Sequence, residues 1–513
     1  MGVMESTIRQ YLEKECAKLI SRHESLIRRN KLDQRHFEKR TGKKAGIQQT
    51  YRPEYWDFHP HFDPYYVRSR IDTIAHGVAE SIRSNKYEVS PTFCFSIPKP
   101  GGGKRGVTIF TLPDSAVAHY LYRELLKRNG HRFSSYSFAY RPDRTAHFAV
   151  EHLFKASKLQ KRLFILEYDF AKYFDTISHD CLKQLLKSEL KVSPREQRLA
   201  EAFLSFRRAS TRKAFRKKIF EQNQRGIAQG NSLSLFFANV ACLELDRQLE
   251  ATGATFARYA DDTVILCRNY KQANQCADLM LSHGRRSATE VNIEKSEGVS
   301  LFSPEEKAEM RSKSSFYFLG YEISPSGVSL SPKAVKRIKK KISTIIHRHL
   351  LFYPRKKQFN PKRIEPNGLD WDMVTCINEI RRYLYGRVTE KTLSGCLSDK
   401  TKPLARTRGL LSYYPLIDQP AKLQELDGWL LNVIHRAQAA RKKLVKSKAK
   451  ARIYTKHDLL SGKWYRRKKP PVETQMPSFF RAWLYTRKCL QVYGLMTFRS
   501  SYYSEYSDNS DCT

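Results

Sequence analysis

Residues 258–267, RYADDTVILC, place two adjacent aspartates between two runs that both have the composition of buried β-strand. Residues 255–259 and 263–267 are rich in β-branched, aromatic and aliphatic side chains, so Asp261 and Asp262 are expected at a hairpin tip. Like charges side by side repel, and a carboxylate taken out of water without a partner is costly. Two arrangements satisfy this constraint. One is a solvated surface turn, for which Asp is well suited; the other is a cation shared with an acid from elsewhere in the chain.

A suitable acid lies upstream, in RLFILEYDFAKYFDTISHDCLKQLL. Leu163–Tyr168 is a short apolar run that predicts a buried strand, and Asp169 stands at its end. Ser178 fits the N-cap of a following helix whose Leu182, Leu185 and Leu186 share one face, and Asp175 is expected to help start that helix. Asp169 beside Asp261 and Asp262 would make a three-carboxylate site. Such a site suits Mg²⁺, and two ions ~3.5–4 Å apart clamp the attacking and leaving oxygens of a phosphoryl transfer.

Charge points to the partner. Lys and Arg total 93 against 51 Asp and Glu, a formal net charge of +42, so a polyanion is the expected ligand. No apolar run reaches the length of a membrane span and the N-terminus lacks a signal-peptide core, so a cytoplasmic protein without a membrane partner is expected. The opening MGVMES fits the loose N-myristoylation pattern, but no second membrane signal accompanies it. Ten cysteines occur singly with no C-x-x-C pair, which argues against a zinc knuckle or a secreted disulfide framework.

The ordered motifs resemble those of reverse transcriptases. YADD is similar to the metal-binding hairpin of that family (motif C), DFAKYFD to motif A, and RGIAQGNSLSLFFANVACLELD to motif B. VNIEKSEGV resembles motif D and FYFLGYEIS the primer-grip hairpin, while SIPKPGGGKRGVTIF and SFAYRPDRTAHFAV look like finger motifs of group II intron and other bacterial enzymes. The set spans residues 96–324 in family order.

The resemblance implies an α+β right-hand polymerase fold: fingers and a palm with an antiparallel sheet, then an α-helical thumb and a C-terminal extension. The expected divisions are residues 1–60, an N-terminal helical extension; 61–325, fingers and palm; 326–445, thumb; and 446–513, a basic extension with an acidic, Tyr-rich tail. It further implies that Asp169, Asp261 and Asp262 hold two Mg²⁺ ions, with Mn²⁺ as an alternative. Phe174, five positions after Asp169, matches the aromatic gate that excludes a ribose 2′-OH. Lys99 and Arg105 match contacts to the incoming triphosphate, and Gln229 and Gly230 the positions beneath the nascent base pair. Ala228 stands where proline is usual. Lys295 is a candidate proton donor to departing pyrophosphate, with an ordinary surface lysine as the alternative.

Outside these motifs, Ile8, Leu12, Cys16, Leu19 and Ile27 recur at helical spacing and predict an amphipathic N-terminal helix. Residues 51–66, YRPEYWDFHPHFDPYY, break that pattern; His59 and His61 lack a completing ligand set, so an ordered aromatic loop is expected. SPKAVKRIKKKISTIIHRHL predicts the first thumb helix, with Val335, Ile338, Ile342, Ile345 and Ile346 as its apolar stripe. Its Lys336, Lys339 and Lys340 are candidates for the phosphate backbone of a template–product duplex. The basic clusters at 441–452 and 465–471 fit either RNA contacts or solvated linkers. The tail SSYYSEYSDNSDCT is acidic and offers Tyr502, Tyr503 and Tyr506 as candidate priming hydroxyls, against the alternative of an ordinary disordered terminus.

Within the family, the long extensions and the lack of nuclease motifs most resemble the bacterial defence-associated, Abi-like ("unknown group") reverse transcriptases. That resemblance implies a dedicated non-coding RNA template, dNTPs and a cDNA product, and it allows protein priming and a homo-oligomer. Two alternatives stay open: a group II intron-type maturase acting as an RNA-folding factor, and a retron-type enzyme. Retron enzymes usually carry a VTG; residues 387–391 read RVTEK here.

Overall fold

The computed structural model describes residues 2–46, 51–98, 103–159, 162–292, 296, 298–303, 312–366, 369–398, 404, 406, 408–447, 449–462, 464 and 474–498. Three sheets organise the first two-thirds of the chain. The finger sheet has β1 (Thr92–Pro98) and β2 (Lys104–Ile109). β3 (Leu163–Tyr168) begins the palm, and β4 (Arg207–Ala209) with β5 (Glu221–Gln222) completes the finger sheet in the order β2-β1-β4-β5. The palm sheet adds β6 (Thr255–Tyr259), β7 (Asp262–Cys267), β8 (Gly298–Phe302) and β9 (Ser312–Lys313), in the order β6-β7-β3-β8-β9. β10 (Phe316–Phe318), β11 (Tyr321–Ser324) and β12 (Gly327–Leu330) form a separate antiparallel sheet that leads into the thumb.

The palm strands are continuous apolar runs because both faces of the sheet are covered. Along β3, Leu163 and Ile165 point into one core shared with the thumb helices, while Phe164 and Leu166 point into the other. β7 divides in the same way, Val264 and Leu266 against Ile265 and Cys267. The second core takes in the helices Leu112–Asn129 and Ser232–Ala241. The architecture is thus the mixed α+β arrangement expected of a right-hand polymerase.

The N-terminal helix Val3–Thr41 is longer than its apolar stripe requires. Ile8, Leu12, Cys16 and Ile20 are buried, whereas Leu19 and Ile27 lie only at the margin. At 1.5 Å per residue its 39 residues reach about 58 Å. The far end meets the C-terminal half: Arg40 contacts His349 Nδ1 at 2.5 Å and Asp372 at 3.7 Å, and the Asn360 N–H donates to the Arg40 carbonyl at 2.8 Å. One helix therefore packs on the N-terminal helices and reaches residues of the C-terminal half. The thumb helix Pro332–Ile346 is capped by Ser331 and buries Ile338, Ile342, Ile345 and Ile346, as its sequence stripe predicts; Val335 is only partly covered.

Candidate active site

The hairpin closes through the pair Tyr259↔Asp262, leaving Ala260 and Asp261 as a two-residue turn. Ala260 has φ +62°, a left-handed conformation uncommon for a residue with a Cβ. β3 pairs with β7 up to Tyr168↔Thr263, so the next residue, Asp169, emerges opposite Asp262. The carboxyl of Asp262 is pushed up to about 8, first by burial and then by Asp261, Asp169 and Glu167; Lys333 opposes the shift. Four acids thus share the end of one sheet. Glu167 is paired with Lys313.

Among the described residues, no three His, Cys, Asp or Glu side chains form a ready-made metal cage. The strand register brings the three aspartates to one sheet end without closing them on a common point. Their chemistry still fits a hard cation, because the donors are all carboxylate oxygens whose mutual repulsion a cation would relieve. Mg²⁺ is commonly held by one or two carboxylates together with substrate phosphates, so a preformed cage is not required.

The Asp169 backbone is clamped from the other side. Its N–H donates to Ser296 Oγ at 3.2 Å, and its carbonyl accepts from the Asn292 N–H at 2.8 Å. Lys295 lies outside the described residues, as do Lys99, Tyr502, Tyr503 and Tyr506.

Phe174 sits on the short helix Tyr173–Thr176. Tyr173 roots this turn: it is buried, and its hydroxyl donates to the Ala238 carbonyl at 2.6 Å. Phe174 remains half-buried, edge-on to Tyr140 with ring centroids 6.4 Å apart. Tyr140 was not singled out by its sequence, although it lies within the finger motif SFAYRP. Its φ is +59°, and its phenol is raised well above the usual range by burial and then by Asp261, with Arg105 acting the other way. Tyr140 therefore lies within electrostatic reach of both a candidate metal ligand and a candidate triphosphate contact. Arg105 itself is exposed on β2, paired with Ile97.

The segment carrying Gln229 and Gly230 straps this region to the fingers. The Ile227 N–H donates to the Phe174 carbonyl at 2.7 Å, and the Thr108 N–H on β2 donates to the Gln229 carbonyl at 3.0 Å. Gly230 has φ +152°, and a Cβ there would stand 2.2 Å from the Thr108 carbonyl oxygen. No other residue fits without moving the strand. Gln229 Nε2 donates to Asp175 Oδ1 at 3.2 Å. This corrects the expectation that Asp175 helps start the next helix. Ser178 caps that helix alone, accepting from the Cys181 N–H at 3.3 Å, while Asp175 is turned to orient Gln229.

Arg258, the first residue of the opening motif, is fully buried. It makes a two-point ion pair with Asp246 at 2.7 and 2.6 Å, and donates to the Ala260 carbonyl at 3.1 Å and to Ser137 Oγ at 2.8 Å. A cation beside DD in sequence looks like their partner. In the fold the strand alternation puts it on the opposite face from Asp262, where it pairs with Asp246 and holds the turn through the Ala260 carbonyl.

On the thumb, Lys336 and Lys340 are exposed. The Lys339 ammonium lies over the Trp429 ring at 5.5 Å. Lys333, in the first turn of the same helix, is a thumb residue whose charge reaches Asp262.

Residues 97–323, a little under half of the chain, match the family model described as reverse transcriptase (RNA-dependent DNA polymerase). An uncharacterized 91 kDa protein in the cob intron of Schizosaccharomyces pombe is 27% identical over 35% of this chain and 21% of its own length. A putative COX1/OXI3 intron 1 protein of Saccharomyces cerevisiae is 26% identical over 34% of this chain and 20% of its own. The chain thus spans about a fifth of the length of these curated relatives. Among solved structures, an apo telomerase from Candida tropicalis truncated from its C-terminal domain aligns over 51% of this chain and 60% of that chain, with 16% identity and a TM-score of 0.35.

Proposed function

We propose that this chain, whose residues 97–323 form a reverse transcriptase domain, polymerises DNA on an RNA template. The observation that carries this reading is the β3–β7 register that sets Asp169 opposite Asp262 at the hairpin tip. Asp169, Asp261 and Asp262 would hold two Mg²⁺ ions, which supply Lewis-acid charge to the reacting phosphoryl oxygens. The chain's own groups do the positioning. Arg105, with Lys99, binds the triphosphate; Gln229, held by Asp175, supports the new base pair; Lys295 donates a proton to pyrophosphate.

Phe174 selects the sugar. Its ring, backed by Tyr140 and Tyr173, occupies the space a 2′-OH would need. Phe174→Ala raises ribonucleotide over deoxynucleotide incorporation by roughly 10- to 200-fold, the range that about 1–3 kcal/mol of pocket selectivity supplies. Competing rNTP and dNTP incorporation measures it, and an unchanged ratio removes Phe174 from this role.

Lys336 and Lys340 contact duplex phosphates, while Lys339 acts through Trp429. Lys336→Gln with Lys340→Gln flattens the dependence of log affinity on log salt by up to about 0.9 per lost contact. Lys339→Gln instead costs about 0.5–1 kcal/mol of stability and leaves the slope unchanged. Template–product titrations at several salt concentrations separate the two, and a slope unmoved by the first pair excludes them from the duplex.

For biological role, we favour anti-phage defence with a dedicated non-coding RNA as template, on the sequence resemblance to Abi-like enzymes. A role in intron biology is the second reading, favoured by the intron-encoded relatives. Sequencing the nucleic acid that co-purifies with the chain decides between them: intron RNA overturns the first, a non-intron transcript with its cDNA the second.

A further inference from the structure

Between Phe206 and Phe220 the chain carries seven arginines and lysines and no acid. Three of these cations make only loose surface pairs, Arg207 with Glu88 at 4.0 Å, Arg208 with Glu221 at 3.7 Å and Arg212 with Glu54 at 3.5 Å. Lys213, Arg216, Lys217 and Lys218 are exposed, and none pairs with a described acid. A charge run of this kind is usually a solvated, irregular loop. Here the fold orders it.

β4 pairs with β1 in parallel, and Thr92 Oγ1 donates to the Arg207 carbonyl at 3.0 Å. Thr211 then caps the short helix Arg212–Arg216. Phe215 is buried in a small aromatic core, with ring centroids 5.5 Å from Phe58 and 5.9 Å from Phe62. Phe58 in turn stands edge-on to Phe93 of β1 at 4.9 Å. The aromatic segment 51–66 thus acquires a purpose: it is the buttress that fixes the cationic excursion. Placement separates this element from the nucleotide site. Arg105 lies on β2 at one edge of the finger sheet, and β4–β5 form the opposite edge, with β1 between.

We propose that this excursion grips the phosphate backbone of a base-paired RNA stem, outside the polymerase cleft. A surface built for single strands offers aromatic faces on which bases stack. In this element Phe215 and Phe220 pack inward on the buttress, and the side chains that face solvent are mainly cations, with Ile219 exposed beside them. Such a surface reads phosphates without reading bases, which suits a stem. This assignment rests on the RNA-templated reading above.

The test uses the full chain and two RNAs of equal length, each with the same annealed DNA primer; one carries a stable stem outside the primed region, the other is unpaired there. Wild-type incorporation on the unpaired RNA is measured first, so failure of the polymerase reading is seen independently of stem binding. Wild type binds the stem RNA more tightly. Lys213→Gln, Arg216→Gln, Lys217→Gln and Lys218→Gln together abolish that preference, on the order of 10-fold in affinity, and lower the salt slope for the stem RNA by up to about 3.6. Incorporation on the unpaired RNA keeps its wild-type kcat. Unchanged stem affinity and slope overturn the proposal. So does an equal loss on both RNAs, which would assign these cations to general attraction.

Discussion

Asp261→Asn combined with Asp262→Asn lowers dNTP incorporation by at least about a thousandfold while RNA affinity stays within about 2-fold. The magnitude follows from electrostatics: losing a single aligned stabilising group at a reacting centre costs roughly 10²–10³ in rate, and here two anionic ligands become neutral. Binding survives because affinity for a polyanion resides in the 93 lysines and arginines, and removing two negative charges cannot weaken it. Stability is not lowered either. Asp262 is destabilised as an anion first by burial and then by Asp261, Asp169 and Glu167, so the neutral amide removes a desolvation cost and repulsion. Incorporation kinetics, RNA titration and thermal denaturation on the same preparation give all three readouts. Undiminished synthesis by the folded double variant would sink the catalytic assignment.

What the sequence made legible is what local pattern controls. The palm strands stood out because two covered faces demand unbroken apolar runs, and the thumb helix because one covered face demands a stripe. The aspartates were legible as candidates because they stand in motifs that resemble those of the family. Contacts across long stretches of chain were not. Nothing near Asp175 announces Gln229, 54 residues on, and nothing in the aromatic segment 51–66 announces Phe215 as its partner. Lys339 belongs by spacing to a cationic row, and nothing near it in sequence announces its contact with Trp429 from a distant helix. Tyr140 is one aromatic among 28 tyrosines until the fold sets it edge-on to Phe174.

Arg258 gives the sharpest case of a residue whose neighbours in sequence mislead, and its removal should be severe. Arg258→Met alone leaves Asp246 buried without its partner, at a cost of about 3–5 kcal/mol, and should yield little folded protein. Arg258→Met with Asp246→Leu replaces the whole pair by apolar groups of similar size, a change that is often near neutral for stability. That double variant folds, yet the Ala260 carbonyl has lost the guanidinium that holds it. A left-handed alanine is disfavoured by about 1–2 kcal/mol, so without that hydrogen bond the turn relaxes and Asp261 and Asp262 lose their aim. Incorporation falls on the order of 10-fold, as about 1.4 kcal/mol of lost positioning implies. Adding Ala260→Gly recovers most of it, because glycine adopts the left-handed turn at no steric cost. Melting temperature and kcat are measured for the three variants. A folded double variant with wild-type kcat would mean that the hairpin holds its own geometry, and that the ion pair serves only the core.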